Sequence, residues 1–282
     1  MVSRRSFIKG VAAAGTLAAA FPQLAMANNT GKQIGIQLYT IRDLVKEDFM
    51  GTMQILADIG FNIIETAEYS DRKFYGYDPA DFNRTVREFG IKPLSSHSYV
   101  TRANISQTIE DTAKSGMKYL VQPYVPESMR KSKDDYKRIA DDLNRFGELC
   151  KTSGLTFAYH NHAFEFEKIE SDIPYNLLLE NTDPNIVTME LDTYWMVYGG
   201  YQPIDYFNSF PGRFKLIHVK DMAEGEDKKS TEIGRGLINF PEIFEMKDLS
   251  GMENFFLEQE DFDMDPWDSL TQSFTYMKTL PQ

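Results

Sequence analysis

The chain has 282 residues, a formal net charge of −12, one cysteine and four histidines. So acidic a surface repels phosphate backbones and anionic membranes, which argues against nucleic-acid or membrane-surface partners and for neutral small molecules. The single cysteine, Cys150, excludes an internal disulfide and reads as a small buried side chain in a helix.

The first 27 residues read as an export leader. Ser3-Arg4-Arg5-Ser6-Phe7-Ile8-Lys9 is followed by an alanine-rich apolar run and the small-x-small site Ala25-Met26-Ala27, the pattern of a twin-arginine signal. The apolar run is too short and weak for a stable membrane anchor, and no cysteine follows it for lipid attachment. Twin-arginine export carries folded proteins, often ones loaded with a cofactor before export, so the mature chain 28–282 is expected in the periplasm or otherwise outside the cytoplasm. Loss of Arg4, Arg5 and Lys9 takes the formal net charge from −12 to −15.

Beyond the leader, helical stretches end in glycine, and an apolar run begins one residue later. This happens at Ala57-Asp58-Ile59-Gly60, Arg87-Glu88-Phe89-Gly90, Ala113-Lys114-Ser115-Gly116 and Lys151-Thr152-Ser153-Gly154. A glycine just past a helix takes the left-handed cap conformation and turns the chain into the next strand. Eight strands are predicted, near 34–39, 61–66, 92–97, 118–123, 155–160, 186–192, 214–219 and 254–258. Several are near-continuous apolar runs, as for parallel strands covered on both faces. Asp183-Pro184 and Phe210-Pro211-Gly212 mark the breaks before the sixth and seventh. The length from 28 to 282 and the regular βα alternation predict one α/β domain, a (β/α)8 TIM barrel. An open doubly wound sheet would want a glycine-rich phosphate loop after the first strand, and IGIQLYTIRD has none. The longest irregular stretch, 221–239, follows the seventh strand and carries Arg235; a loop of that length is expected to be functional.

All four histidines, His97, His160, His162 and His218, fall at the C-terminal ends of predicted strands, the face on which barrel active sites are built. Asp192 and Glu258 reach the same face, and imidazoles converging with carboxylates suit a divalent metal. Strand alternation points His160 and His162 inward at successive heights, and likewise Glu190 with Asp192 and His218 with Lys220. Asp192, nearer the top, is the expected ligand; Glu190, one layer deeper, orients an imidazole or binds Lys220. Glu65 ends the second strand and is expected to contact substrate or act as a second base. Gln122 and Tyr39 end the fourth and first strands, each divided between sugar contact and packing. Tyr99, Tyr124, Tyr194, Trp195 and Tyr198 crowd the rim, where aromatic rings suit sugar faces.

LTFAYHNH, LDTYW, IHVKD, the stretch Ile233-Gly234-Arg235-Gly236-Leu237-Ile238-Asn239-Phe240 and FLEQE recur in order. Together they resemble the sugar-phosphate isomerase/epimerase family of xylose-isomerase-like barrels, which includes ketose 3-epimerases, inosose dehydratases and hydroxypyruvate isomerases. The resemblance implies one divalent ion, commonly Mn²⁺, with Zn²⁺, Co²⁺ or Fe²⁺ as substitutes. It also implies the ligand set Asp192, His218 and Glu258, with His160 standing where the ketose epimerases carry a glutamate. That change removes the paired glutamates that epimerisation uses, and Trp195 stands where the epimerases carry a substrate-binding histidine, a second departure. The Tyr-His-x-His spelling is similar to inosose dehydratases. The expected chemistry is therefore dehydration or β-elimination of a keto-sugar through an enediolate, with sugar isomerisation or 3-epimerisation second and a non-catalytic sugar-binding barrel third. His162, Glu258 or Lys220 is the expected base and His97 the acid, while Arg235 covers the substrate or binds an anionic group. The export signal favours a free sugar, an oxidised sugar or a glycoside such as a 3-keto-glycoside; an oligomer is left open. A three-zinc endonuclease of the same superfamily is opposed by the acidic charge and by having four histidines.

Overall fold

Eight short parallel strands close on themselves in the computed structural model of the chain, which describes residues 33–281. They are β1 (Gly35–Gln37), β2 (Ile63–Thr66), β3 (Lys92–His97), β4 (Tyr119–Gln122), β5 (Thr156–His160), β6 (Val187–Asp192), β7 (Leu216–Val219) and β8 (Asn254–Leu257). Each pairs with its neighbours in sequence, and β1 closes the ring on β8 with Gly35 opposite Phe256. Helices alternate with the strands, so the expected (β/α)8 barrel is the fold observed. The leader expected at 1–27 lies outside the described residues. No helix among the described residues is long and apolar enough to cross a membrane.

Each strand lies within its predicted span except for frayed ends. β1 stops at Gln37 because that side chain accepts from Tyr39 N and starts a 3-10 turn over Leu38–Ile41. The glycine caps behave as predicted: Gly60 closes the helix Phe49–Ile59 with φ +119°, where a side chain would also strike Phe274.

The barrel interior has two levels. A dry floor of Ile63, Leu94, Tyr119, Val121, Ala158, Leu216 and Phe256 is sealed off from the larger core between strands and helices. Above it, the next inward positions are polar: Glu65, His160, Glu190, Asp192, His218 and Glu258, all buried. One irregularity matters for function. Between β2 and β3 the register runs from Ile64 opposite Pro93 to Glu65 opposite Ser95, which leaves Leu94 as an extra residue. Leu94 faces the floor, so strict alternation would turn Ser95 and His97 away from the axis. The bulge re-aims both toward it.

The stretch 221–239 is more ordered than a free loop. Asp221–Met222 pairs with Ser230–Thr231, and the Asp221 carboxylate accepts from the backbone of Met222, Gly234, Gly236 and Ile238 at 2.8–3.1 Å. A Cβ at Gly236 would collide with the Met222 carbonyl and that same carboxylate. The glycines of this stretch thus serve loop architecture.

Candidate metal centre and active-site cavity

Strands β5, β6 and β7 each deliver one side chain to a common point, and the residue directly after β8 delivers a fourth. His160, Asp192, His218 and Glu258 are buried, with one potential ligand atom of each lying within 4.8 Å of all the others. Asp192 Oδ1 accepts from Trp195 N at 2.8 Å, which caps the short helix Thr193–Tyr198. Its other oxygen, Oδ2, has no hydrogen-bond partner and lies 3.9 Å from His218 Nδ1. His218 Nδ1 is likewise without a hydrogen bond, though it abuts the Glu258 carboxylate. An unpaired polar atom in an interior costs about 1–3 kcal/mol. An Asp192 oxygen left without a hydrogen bond, beside imidazole nitrogens and the Glu258 carboxylate, is what a divalent cation would satisfy, so the donor set fits one.

One layer down, two carboxylates hold the rings. Glu65 accepts from Gln37 Nε2 at 2.8 Å and Ser95 Oγ at 2.5 Å, and pairs with His218 Nε2 at 2.6 Å. Glu190 pairs with His97 Nε2 at 2.5 Å and lies 3.3 Å from both His160 Nδ1 and His218 Nε2. With Nε2 of His218 engaged below, its Nδ1 is the atom turned toward Asp192 and Glu258; carboxylates behind metal-binding histidines fix tautomer and ring angle in this manner. Of the two roles expected for Glu190, the geometry selects imidazole orientation. Lys220 instead bonds Glu258 at 3.2 Å and Glu260, under the rings of Tyr194 and Trp195 at 5.1 and 4.8 Å.

These surroundings separate the titrating groups. Burial holds His162 down at about 4, so its ring is neutral. Burial also opposes charge on His97, but Glu65 and Glu190 outweigh it and raise that ring above the ordinary histidine value. Burial pushes Asp192 up to about 7, with the Lys220 ammonium opposing. Burial works against the Lys220 ammonium too, yet Glu258, Asp192 and Glu260 keep it charged.

Above the cluster opens a cavity of about 420 Å³, walled by His97, His160, His162, Glu258 and Glu260 and by the rings of Tyr39, Tyr69, Tyr99, Tyr124 and Trp195. Among its described lining residues there is no arginine or lysine. Asp192, His218 and Lys220 sit beneath or behind its floor. Glu65, expected at the substrate, is fully buried below His97 and His218 and touches side chains only. Two further expected contacts are not brought to the cavity. Gln122 has the outward parity of β4, next to inward Val121, and its amide ties Val100 N to the Tyr124 carbonyl. Arg235 lies half-exposed beside Glu232 in a separate surface groove against the C-terminal helix, because Asp221 folds its loop away from the barrel mouth.

Sequence reasoning missed four contributors. Gln37 and Tyr69 line the cavity, the latter held by its hydroxyl donating to Asp111 at 2.7 Å. Glu260 closes the Lys220 pair. Glu165, fully buried after β5, accepts from Tyr159 Oη at 2.5 Å and from His162 N at 2.9 Å, fixing the loop that carries His162. Its spacing from His162 was the only sequence signal available, and a lone carboxylate after a strand is ordinarily solvated.

Comparison with known proteins places these features. An inosose dehydratase of Clostridium beijerinckii is 28% identical over 166 residues, 52% of this chain and 55% of that protein. Another, of Geobacillus kaustophilus, is 25% identical over 191 residues, 59% of this chain and 60% of that protein. The chain thus spans a little over half the length of these curated relatives. The crystal structure of a sugar phosphate isomerase/epimerase from Parabacteroides distasonis superposes with a TM-score of 0.81 at 27% identity, covering 90% of this chain and 96% of that one. These relatives are sugar-acting enzymes. The xylose isomerase-like TIM barrel family matches residues 53–280, and with the closed eight-stranded parallel barrel observed, the chain belongs to that family.

Proposed function

We propose that this chain is a divalent-metal-dependent lyase that eliminates water or an alkoxide from an uncharged keto-sugar, with a 3-keto-glycoside as the favoured substrate. The observation that carries this reading is the meeting of Asp192 Oδ2, which has no hydrogen-bond partner, with His218 Nδ1, Glu258 and His160 under a cavity whose described lining holds no arginine or lysine. A divalent ion bound there, Mn²⁺ in first place, would supply Lewis acidity at a ketone and its neighbouring hydroxyl.

The chain's own residues then divide the proton work. His162, neutral through burial, accepts the proton from the carbon beside the carbonyl. His97, held charged between Glu65 and Glu190, donates its proton to the oxygen leaving the next carbon. Environments that push two groups apart in this way separate acid from base. The two rings each lie next to His160, at centroid distances of 4.9 and 5.0 Å from it. Lys220 stays an ammonium that holds Glu258 in place rather than a base. With no arginine or lysine in the lining, a sugar phosphate would meet the His97 ring as its one cationic side chain, beside Glu258 and Glu260; hydroxyls meet Gln37, Glu260 and the tyrosines. The twin-arginine pattern of residues 3–9 supports export of this chemistry from the cytoplasm; a pair of lysines in place of Arg4 and Arg5 should trap the chain in the cytoplasmic fraction.

The test measures metal content by mass spectrometry on purified protein beside His218→Ala, followed by incubation with keto-sugars in D2O. About one ion per chain, lost in the variant, together with released water or aglycone, supports the reading. No metal bound or taken up would sink it. Deuterium at the carbon beside the ketone without elimination would instead assign 3-epimerisation, which two imidazoles next to His160 also permit.

A further inference from the structure

A second hollow, of about 230 Å³, lies beside the cavity between the loops that follow β3 and β4, against the helix Lys133–Thr152. Its walls are apolar: Val125, Met129, Ile139, Leu143 and Phe146. Gln122 borders it, but both ends of that amide are already bonded to Val100 N and the Tyr124 carbonyl. Charge occurs only at the outer edge, where Arg102 and Asp142 neutralise one another at 2.6 Å. The hollow shares the Tyr99 wall with the catalytic cavity, so the two open side by side. Tyr99 stacks on Tyr124 with centroids 5.5 Å apart, and its hydroxyl lies 3.8 Å from the Met129 sulfur.

Exposed apolar surface is concentrated here. Of nine large hydrophobic side chains exposed on the described residues, Tyr39, Tyr99, Tyr124 and Met129 border these two spaces. Contiguous exposed apolar surface beside a polar cavity marks a ligand site.

We infer that the hollow between Tyr99, Met129 and Leu143 is a subsite for an apolar, ring-sized substituent of the substrate, an aryl aglycone attached to the sugar in the catalytic cavity. The inference rests on the sugar reading of that cavity. Size and chemistry select the occupant. A cavity of about 150 Å³ lined by aliphatic and aromatic side chains accepts benzene, so this one has room for a substituted ring. A second sugar would leave its hydroxyls without partners against these walls. The stacked tyrosines at the shared wall offer flat faces to a ring passing from one space to the other.

The test titrates metal-loaded full-length protein with phenyl and methyl β-D-glucopyranoside by calorimetry. Phenol alone is followed in parallel through the ¹³C-methyl resonance of Met129, assigned by its loss in Met129→Glu. The phenyl glycoside should bind about tenfold tighter or better. That advantage should disappear in Met129→Glu, which charges the rim, and in Leu143→Trp, which fills the hollow, while methyl-glycoside affinity holds. Phenol should shift the Met129 methyl. Equal affinity for the two glycosides in the parent, or a phenyl preference that survives Met129→Glu with an unshifted methyl, would overturn the inference. If neither glycoside binds, the keto-sugar reading stands or falls on the D2O incubation above and phenol decides the subsite: a shift of Met129 supports an apolar-ring site, and no shift overturns it.

Discussion

Asp192→Asn separates the two things this carboxylate does. Oδ1 accepts from Trp195 N and caps a helix, a role the asparagine oxygen keeps. Oδ2 faces His218 Nδ1 without a hydrogen-bond partner, and the Glu258 carboxylate repels charge on it. Above about pH 7, where Asp192 is ionised, the substitution in metal-free protein removes a buried anionic oxygen that lacks a hydrogen bond, so stability should rise by about 1–3 kcal/mol. For a domain of this size each kcal/mol moves Tm by about 2–4 °C, which predicts an increase of roughly 2–12 °C. With metal the order reverses. An ion at a hundred times its Kd stabilises the parent by about 2.7 kcal/mol, or roughly 5–11 °C, and the variant should show almost none of that shift. The assay is thermal unfolding by circular dichroism of chelator-stripped protein, with and without excess Mn²⁺. An equal metal-induced shift in parent and variant would refute the placement of the ion; a metal-free variant less stable than its parent would refute the account of Oδ2.

Three further outcomes follow from the same geometry. Burial raises Glu165 from 4.5 to about 8, so the folded chain binds a proton that the unfolded chain has released. Its contribution is complete below about pH 4.5 and is lost as pH rises toward 8; Glu165→Gln, neutral throughout, should flatten the Tm profile over that window, and an unchanged slope in metal-free protein would contradict the assignment. Gly236→Ala drives a Cβ into the Met222 carbonyl and the Asp221 carboxylate, and a loss of about 1–3 kcal/mol in urea unfolding is expected. Arg235→Ala, by contrast, removes a half-exposed side chain outside the cavity; stability within about 0.5 kcal/mol of the parent and unchanged turnover of any keto-sugar are expected, and a raised KM would return Arg235 to the site.

Much of this protein was legible before any coordinates. The period of helix, glycine and apolar run prescribes βα units, because a left-handed cap and two covered strand faces leave a sequence trace at each repeat. Alternation along a strand is equally local, so Glu190 with Asp192, and His218 with Lys220, were placed on the correct face from parity alone. The ordered motifs carried the family.

What the chain order could not reveal is whatever depends on register or on partners far apart in sequence. His97 reaches the axis only because Leu94 is an extra residue opposite β2, a shift that exists solely in the pairing of two strands. Gln122 ends its strand as expected, yet β4 turns that position outward, toward the hollow under Tyr99. Arg235 belongs to a motif whose shape is set by Asp221, thirteen residues from Gly234, gathering backbone N–H groups. The acid and base roles proposed for His97 and His162 rest on burial and on carboxylates on other strands, since the same side chain is shifted up in one place and down in the other. Local chemistry is written in neighbouring residues; register, solvation and the charge field around a group come into being only when the barrel closes.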